Sequence, residues 1–130
     1  MKILTTITVK QILTEKSKIE LYERFTKRKE ELKRELDQLK FEMKRMEKSK
    51  KYSSLMLQHY YDKEMNDRHE KIKILDFQLE QLNLLPIGTE LKEREVQGLV
   101  EVEVGDTWNE VMNGKTIIVK DGIIQEIKEG

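Results

Sequence analysis

Two imidazoles occur in the chain, His59 and His69, and they stand ten residues apart. Along a helix, side chains converge on one ion at spacings of three, four or seven, because those offsets share a face. A spacing of ten does not close such a site, and the chain has no cysteine to complete one. Carboxylates are plentiful, but nearly all lie three or four residues from Lys or Arg, as Glu31 does from Arg34, which reads as surface pairing. Ser53 and Ser54 have no neighbouring base suited to nucleophilic catalysis. The glycines at 88, 98, 105, 114, 122 and 130 are isolated, so none builds a phosphate cradle. These residues predict no catalytic group, no metal site, no cofactor and no small-molecule substrate. The chain is expected not to be an enzyme.

The residues best placed for another kind of chemistry are cations and rings in the middle of the chain. Residues 40–51 carry six Lys or Arg against Glu42 and Glu47. Lys44, Arg45, Lys48, Lys50, Lys51 and Tyr52 have the types needed to meet phosphates, with rings able to stack on unpaired bases. Immediately after them, YSSLMLQHYY leaves little room for a polar face. Leu55, Met56, Leu57, Tyr60 and Tyr61 are expected to leave some apolar surface exposed there, with Leu55, Met56 and Tyr60 as contact residues, methionine lending adaptability and tyrosine an amphipathic anchor. The competing reading is that this stretch only closes a bend.

The elements that position these residues follow from periodicity. Charged residues make up 38% of 130 and mean hydropathy is -0.71, the signature of a long solvated helical segment rather than a compact globule. Ser17 with Glu20 reads as a capping box that starts a helix. Tyr22, Phe25, Leu32, Leu36, Leu39, Met43 and Met46 then fall three or four apart, a heptad seam with Lys29 as its polar intruder. A second seam runs Tyr61, Met65, Ile72, Leu75, Leu79, Leu82, its gap filled by Arg68 or His69, and Pro86 with Gly88 ends it. Extending the first seam past Met46 lands on Lys50, Ser53, Leu57, Tyr60, Glu64, Asp67, Lys71, Ile74, Gln78 and Gln81, most of them polar. The phase therefore breaks near 49–54, where serines compete for backbone hydrogen bonds. Two arms of nearly equal length fold back antiparallel, with Phe25 near Leu79, Leu32 near Ile72 and Leu39 near Met65. The alternative is one continuous helix in a dimeric coiled coil.

On either side of the helical segment the period is two. KILTTITVKQIL places Ile3, Thr5, Ile7 and Val9 on one face of a strand. Val100, Val102 and Val104 alternate with Glu101 and Glu103 and end at Gly105-Asp106. TWNEVM reads as a single helical turn, and KTIIVKDGIIQEIK as a hairpin turning at Asp121-Gly122. Trp108 is expected to anchor the core of the small sheet. The predicted class is α+β: a long antiparallel helical hairpin, a coiled coil at 14–85, inserted between an N-terminal strand at 1–13 and a small antiparallel β domain at 86–130. The segment 14–85 carries 18 Lys and Arg against 15 acids, and 86–130 carries 5 against 10, so a basic tip is paired with an acidic base.

KQILTEKSK, the stretch KIKILDFQLEQLNLLPIGTELKEREVQGLVEVEVGD, and TIIVKDGIIQEI resemble the bacterial YlqD family over nearly the whole chain, least at the helical tip. The resemblance brings no activity and no catalytic residues. Genes of that family tend to lie beside those of a small-subunit ribosomal protein and a ribosome maturation factor, which points toward translation or ribosome assembly.

No stretch approaches the ~18 apolar residues of a membrane span, and MKILTTITVK lacks the apolar core of a signal peptide. A cytoplasmic location is expected, without membrane contact. The leading expectation is a noncatalytic protein that docks through its tip on ribosomal RNA or a ribosome-associated protein. The alternatives are a prefoldin-like chaperone gripping clients with the apolar tip, and a structural homo-oligomer. A transcript-cleavage role of the Gre type would need acids at the tip, where only Glu47 stands among lysines.

Overall fold

The computed structural model describes residues 1–129. In chain order it contains β1 (Lys2–Ile12), α1 (Glu15–Ser49), α2 (Ser54–Leu84), β2 (Glu90–Glu101), α3 (Trp108–Met112), β3 (Lys115–Lys120) and β4 (Ile123–Glu129). The fold is α+β, and it divides into two compact units. One joins Met1–Lys18 to the chain from Leu85 onward, and the other is Ile19–Leu84.

In the first unit β1 lies inside a four-stranded sheet of order β2-β1-β3-β4. It pairs antiparallel with β2 from Lys2↔Glu101 to Ile12↔Glu90, with a bulge after Val9. On its other side it runs parallel to β3, Ile7↔Lys115 through Gln11↔Val119. The sheet is therefore mixed, a departure from the antiparallel expectation. The segment 102–114 carries the chain from the end of β2 across β1, so that β3 sets off in the direction of β1. Asp121 and Gly122 turn β3 into β4 with φ of 47° and 81°, both left-handed, as a type I′ turn requires.

Two expectations for this unit are corrected. Strand β2 reaches back to Glu90 and ends at Glu101, whereas the valine alternation placed its end at Gly105. Val102 still donates its N–H to the Met1 carbonyl at 2.8 Å, but Val104 lies outside the sheet and is fully exposed. The polar run ELKERE is tolerated because this edge strand wets both faces. Trp108 is 65% exposed on the single turn of α3 instead of anchoring the core. Leu13 and Ile118 are the fully buried apolar side chains of the unit.

Helix α1 is capped three residues before the expected Ser17. Thr14 is the cap: its Oγ1 accepts the Ser17 N–H at 3.0 Å, while Ser17 Oγ accepts the Thr14 N–H at 2.8 Å. The reciprocal geometry is that of a capping box with serine in the third position instead of glutamate. Thr14 Oγ1 also donates to Asp121 Oδ1 at 2.8 Å, tying the helix start to the β-turn. Thr14→Ala removes both roles of a buried hydroxyl and should cost about 1–2 kcal/mol of stability, read as a lower urea midpoint at unchanged slope.

In the helical unit the buried side chains are Leu32 and Leu36 of α1 and Leu57, Tyr61, Leu75 and Leu82 of α2. Cross-helix ion pairs fix an antiparallel register: Lys29 Nζ lies 2.5 Å from Asp76 Oδ1, and Arg68 Nε lies 3.7 Å from Glu35 Oε2. The seam's polar intruder is thus neutralised across the interface. That hydrogen bond to Asp76 raises the Lys29 ammonium above its ordinary pKa, keeping it charged to higher pH. Arg68, not His69, fills the gap in the second seam, held also by Glu64. Tyr22 is corrected: it is 48% exposed, and Leu21 and Phe25 take the half-buried positions.

The helices are separate. Ser49 Oγ donates to the Met46 carbonyl at 2.8 Å, and Lys50 follows in the left-handed region at φ 54°. Ser53 then caps α2, its Oγ accepting the Met56 N–H at 3.1 Å. A non-glycine residue with left-handed φ just past a helix end is a recognised stop.

Candidate functional site

The bend at 50–53 gathers the ends of both helices, and Leu57 and Tyr61 are buried beneath it. Burial, with the Glu42 carboxylate adding to it, pushes the Tyr61 phenol above its ordinary pKa. Tyr60 meets Tyr61 edge to face, ring centroids 5.0 Å apart at 85°, and so holds its own ring in a fixed pose while remaining exposed. Leu57 and Tyr61 close the bend, and their neighbours do not.

All nine residues singled out from sequence, Lys44, Arg45, Lys48, Lys50, Lys51, Tyr52, Leu55, Met56 and Tyr60, are exposed. Leu55, at 78%, has the most open apolar side chain of the helical unit. Among the described residues none of the five cations lies within ion-pair distance of a carboxylate. Farther along the same helices some cations are engaged, Arg28 with Glu31, Lys33 with Glu30, Lys71 with Asp67 and Lys73 with Glu70, whereas Arg24, Lys27, Arg34 and Lys40 are in no ion pair among the described residues. Glu31 thus pairs backward to Arg28 and not forward to Arg34.

For Lys51 the cause lies in where α1 stops. Glu47 and Lys51 have the favourable i, i+4 order of a helical pair, but the helix ends at Ser49, so Lys51 is off the helical path. Cations left without internal partners keep their full field for an external anion.

One residue of the site was missed. Phe41 is 68% exposed and precedes Lys44 and Arg45 by three and four residues, on their face of α1. The signal was present, since Phe41 falls between the seam positions Leu39 and Met43. Neither histidine takes part in a metal set, and among the described residues no three His, Asp or Glu side chains gather as one. His59 and His69 are both exposed. Among the described residues no helix is long and apolar enough to cross a membrane.

A family profile described as YlqD protein matches residues 1–128. A Bacillus subtilis (strain 168) protein, described as uncharacterized protein YlqD, is 40% identical over 129 residues, covering 99% of both chains. A crystal structure of a protein of unknown function from Synechococcus sp. WH 8102 superposes with a TM-score of 0.85 at 23% identity, covering 99% of this chain and 96% of that one. That likeness speaks to the fold.

Proposed function

We propose that this chain, which belongs to the YlqD family, is a noncatalytic cytoplasmic docking protein whose hairpin tip binds ribosomal RNA on a ribonucleoprotein. The observation that carries the reading is the cluster itself: Lys44, Arg45, Lys48, Lys50 and Lys51 stand at the tip without carboxylate partners among the described residues, beside the exposed Tyr52, Leu55, Met56 and Tyr60. Lys48, Lys50 and Lys51 supply charge to phosphates, while Tyr52 and Tyr60 present ring faces to bases that are not already stacked. Backbone contacts of this kind displace condensed counterions, so affinity falls steeply with salt.

The test is binding of the full chain to fluorescently labelled ribosomal RNA fragments across a salt series, beside the variant K48E/K50E/K51E. The expected result is a salt-dependent interaction in the wild type whose slope in log affinity against log salt shrinks by about 2 for the variant, near 0.7 for each phosphate contact on single strands. Equal binding and equal slope for the two proteins would sink the reading.

Exposed Leu55 and Met56 favour a second reading, in which the tip grips the apolar surface of an unfolded client. Suppression of aggregation of a model client, insensitive to salt and lost in L55S/M56S, would support it over RNA.

A further inference from the structure

The two edges of the sheet are unlike. Strand β2 carries Glu90, Lys92, Glu93, Arg94, Glu95 and Glu101 among twelve residues, several of them in local pairs such as Lys92–Glu95 at 2.6 Å. A charged edge of this kind resists addition of another strand. At the other edge β4 reads IIQEIKE, and Ile123, Ile124 and Ile127 are 66%, 57% and 59% exposed. Among the described residues no strand pairs with its outer side. Such an edge is a template for a further strand, and the question is what fits it.

We propose that β4 pairs antiparallel with β4 of a second copy of this chain, about a two-fold axis at Ile127. Self-pairing demands that the sequence be complementary to its own reverse, which is the property of an isologous interface. Glu126-Ile127-Lys128 has it. Centred on Ile127, each Glu126 lies opposite the partner's Lys128, each Lys128 opposite the partner's Glu126, and the two isoleucines meet. Centred on Glu126 or on Lys128, the same strand sets like charges against each other, which is destabilising. Glu126 and Lys128 share one face of the sheet, opposite Ile118 and Thr116 of β3, while Ile127 lies on the other, opposite Ile117. The charges and the apolar contact therefore form on separate faces without competing.

Within one chain Glu126 has no cation partner among the described residues, whereas Lys128 Nζ lies 3.4 Å from Glu90 Oε1 with its side chain 47% exposed. An ammonium has three protons to donate, so Lys128 can hold Glu90 and the partner's Glu126 together. Gln125 is bulged out of the β3 pairing, between Ile124↔Val119 and Glu126↔Ile118, which confines the regular ladder to the end of β4 where the complementary triplet stands. The inference is independent of what the hairpin tip binds.

The test uses the full chain and measures mass by sedimentation equilibrium over a concentration series. The wild type is expected to be a reversible dimer. E126K and K128E each replace two attractive cross-strand pairs by two repulsive ones, and each should raise the dimer dissociation constant about tenfold or more. An equimolar mixture of E126K with K128E restores both attractive pairs and should dimerise where neither variant alone does. Far-UV circular dichroism checks that both variants fold. A wild type that stays monomeric at millimolar concentration would overturn the proposal. So would variants that dimerise unchanged, or a mixture no more associated than its components.

Discussion

Gly114→Ala lowers the stability of the β unit by about 3 kcal/mol, more than a methyl added to any other glycine among the described residues. Gly114 is buried, at φ 73°, immediately before β3. A β-carbon there would stand 2.3 Å from the Thr6 carbonyl oxygen. The obstacle is backbone of the inner strand β1, which cannot move without disturbing pairing on both sides. Left-handed backbone costs an L-residue about 1–2 kcal/mol, and overpacking a filled site adds about 1–3. Restricting the unfolded chain returns only about 0.4–1 kcal/mol. Destabilisation wins clearly.

Gly105→Ala separates the two causes. It has φ 101° but no atom within 4 Å of a new β-carbon, so it should show the backbone penalty alone. Urea melts followed by far-UV circular dichroism read both. Equal effects at 105 and 114 would mean that the close approach to Thr6 does not matter.

Leu32→Ala is the second large effect, about 2–3 kcal/mol, and it falls on the helical unit. Leu32 is 1% exposed, so truncation loses the transfer energy of the side chain and leaves a void. The value sits at the lower end of the leucine-to-alanine range because two helices without a third layer can close partly over a gap. Backbone amide exchange across α1 should accelerate while amides of β1 keep their protection, since local opening follows the unit that lost its contact. Tyr22→Ala is the informative comparison: the heptad count gives Tyr22 and Leu32 equal rank, but the exposed ring of Tyr22 should cost under about 0.5 kcal/mol. If the two substitutions cost the same, the burial pattern described for α1 is wrong.

Periodicity carried most of the architecture. A seam of period 3.5 that changes phase at Ser49–Ser54 demands either a stutter or a reversal. Strand-like segments at both termini favour reversal, because a two-stranded hairpin alone is marginal. What escaped were features decided by tertiary context. The helix cap moved from Ser17 to Thr14 because a buried threonine linked to Asp121 outcompeted the local S-x-x-E pattern. The parallel β1–β3 pairing leaves no mark on either strand, since both alternate identically whichever way they run. Trp108 was assigned to the core on residue type, but five residues of helix do not offer enough surface to cover it. At the tip, residue types and exposure were legible. The missing Glu47–Lys51 pair was not, because it depends on α1 ending two residues before Lys51.

Strand β1 leaves the ribosome ahead of both of its neighbours, which lie far downstream, β2 beginning at Glu90 and β3 at Lys115. Through most of synthesis it is an alternating Ile/Thr/Val segment with nothing to hydrogen-bond. The helices between need no partner outside Ile19–Leu84 and can zip together as soon as Leu84 clears the exit tunnel, whereas the sheet must wait for β3 and β4. Nascent chains arrested once Leu84, but not yet β2, has left the tunnel should therefore carry a formed helix pair and an unpaired sticky strand. That is the stage at which a chaperone or a nearby surface would intercept the molecule.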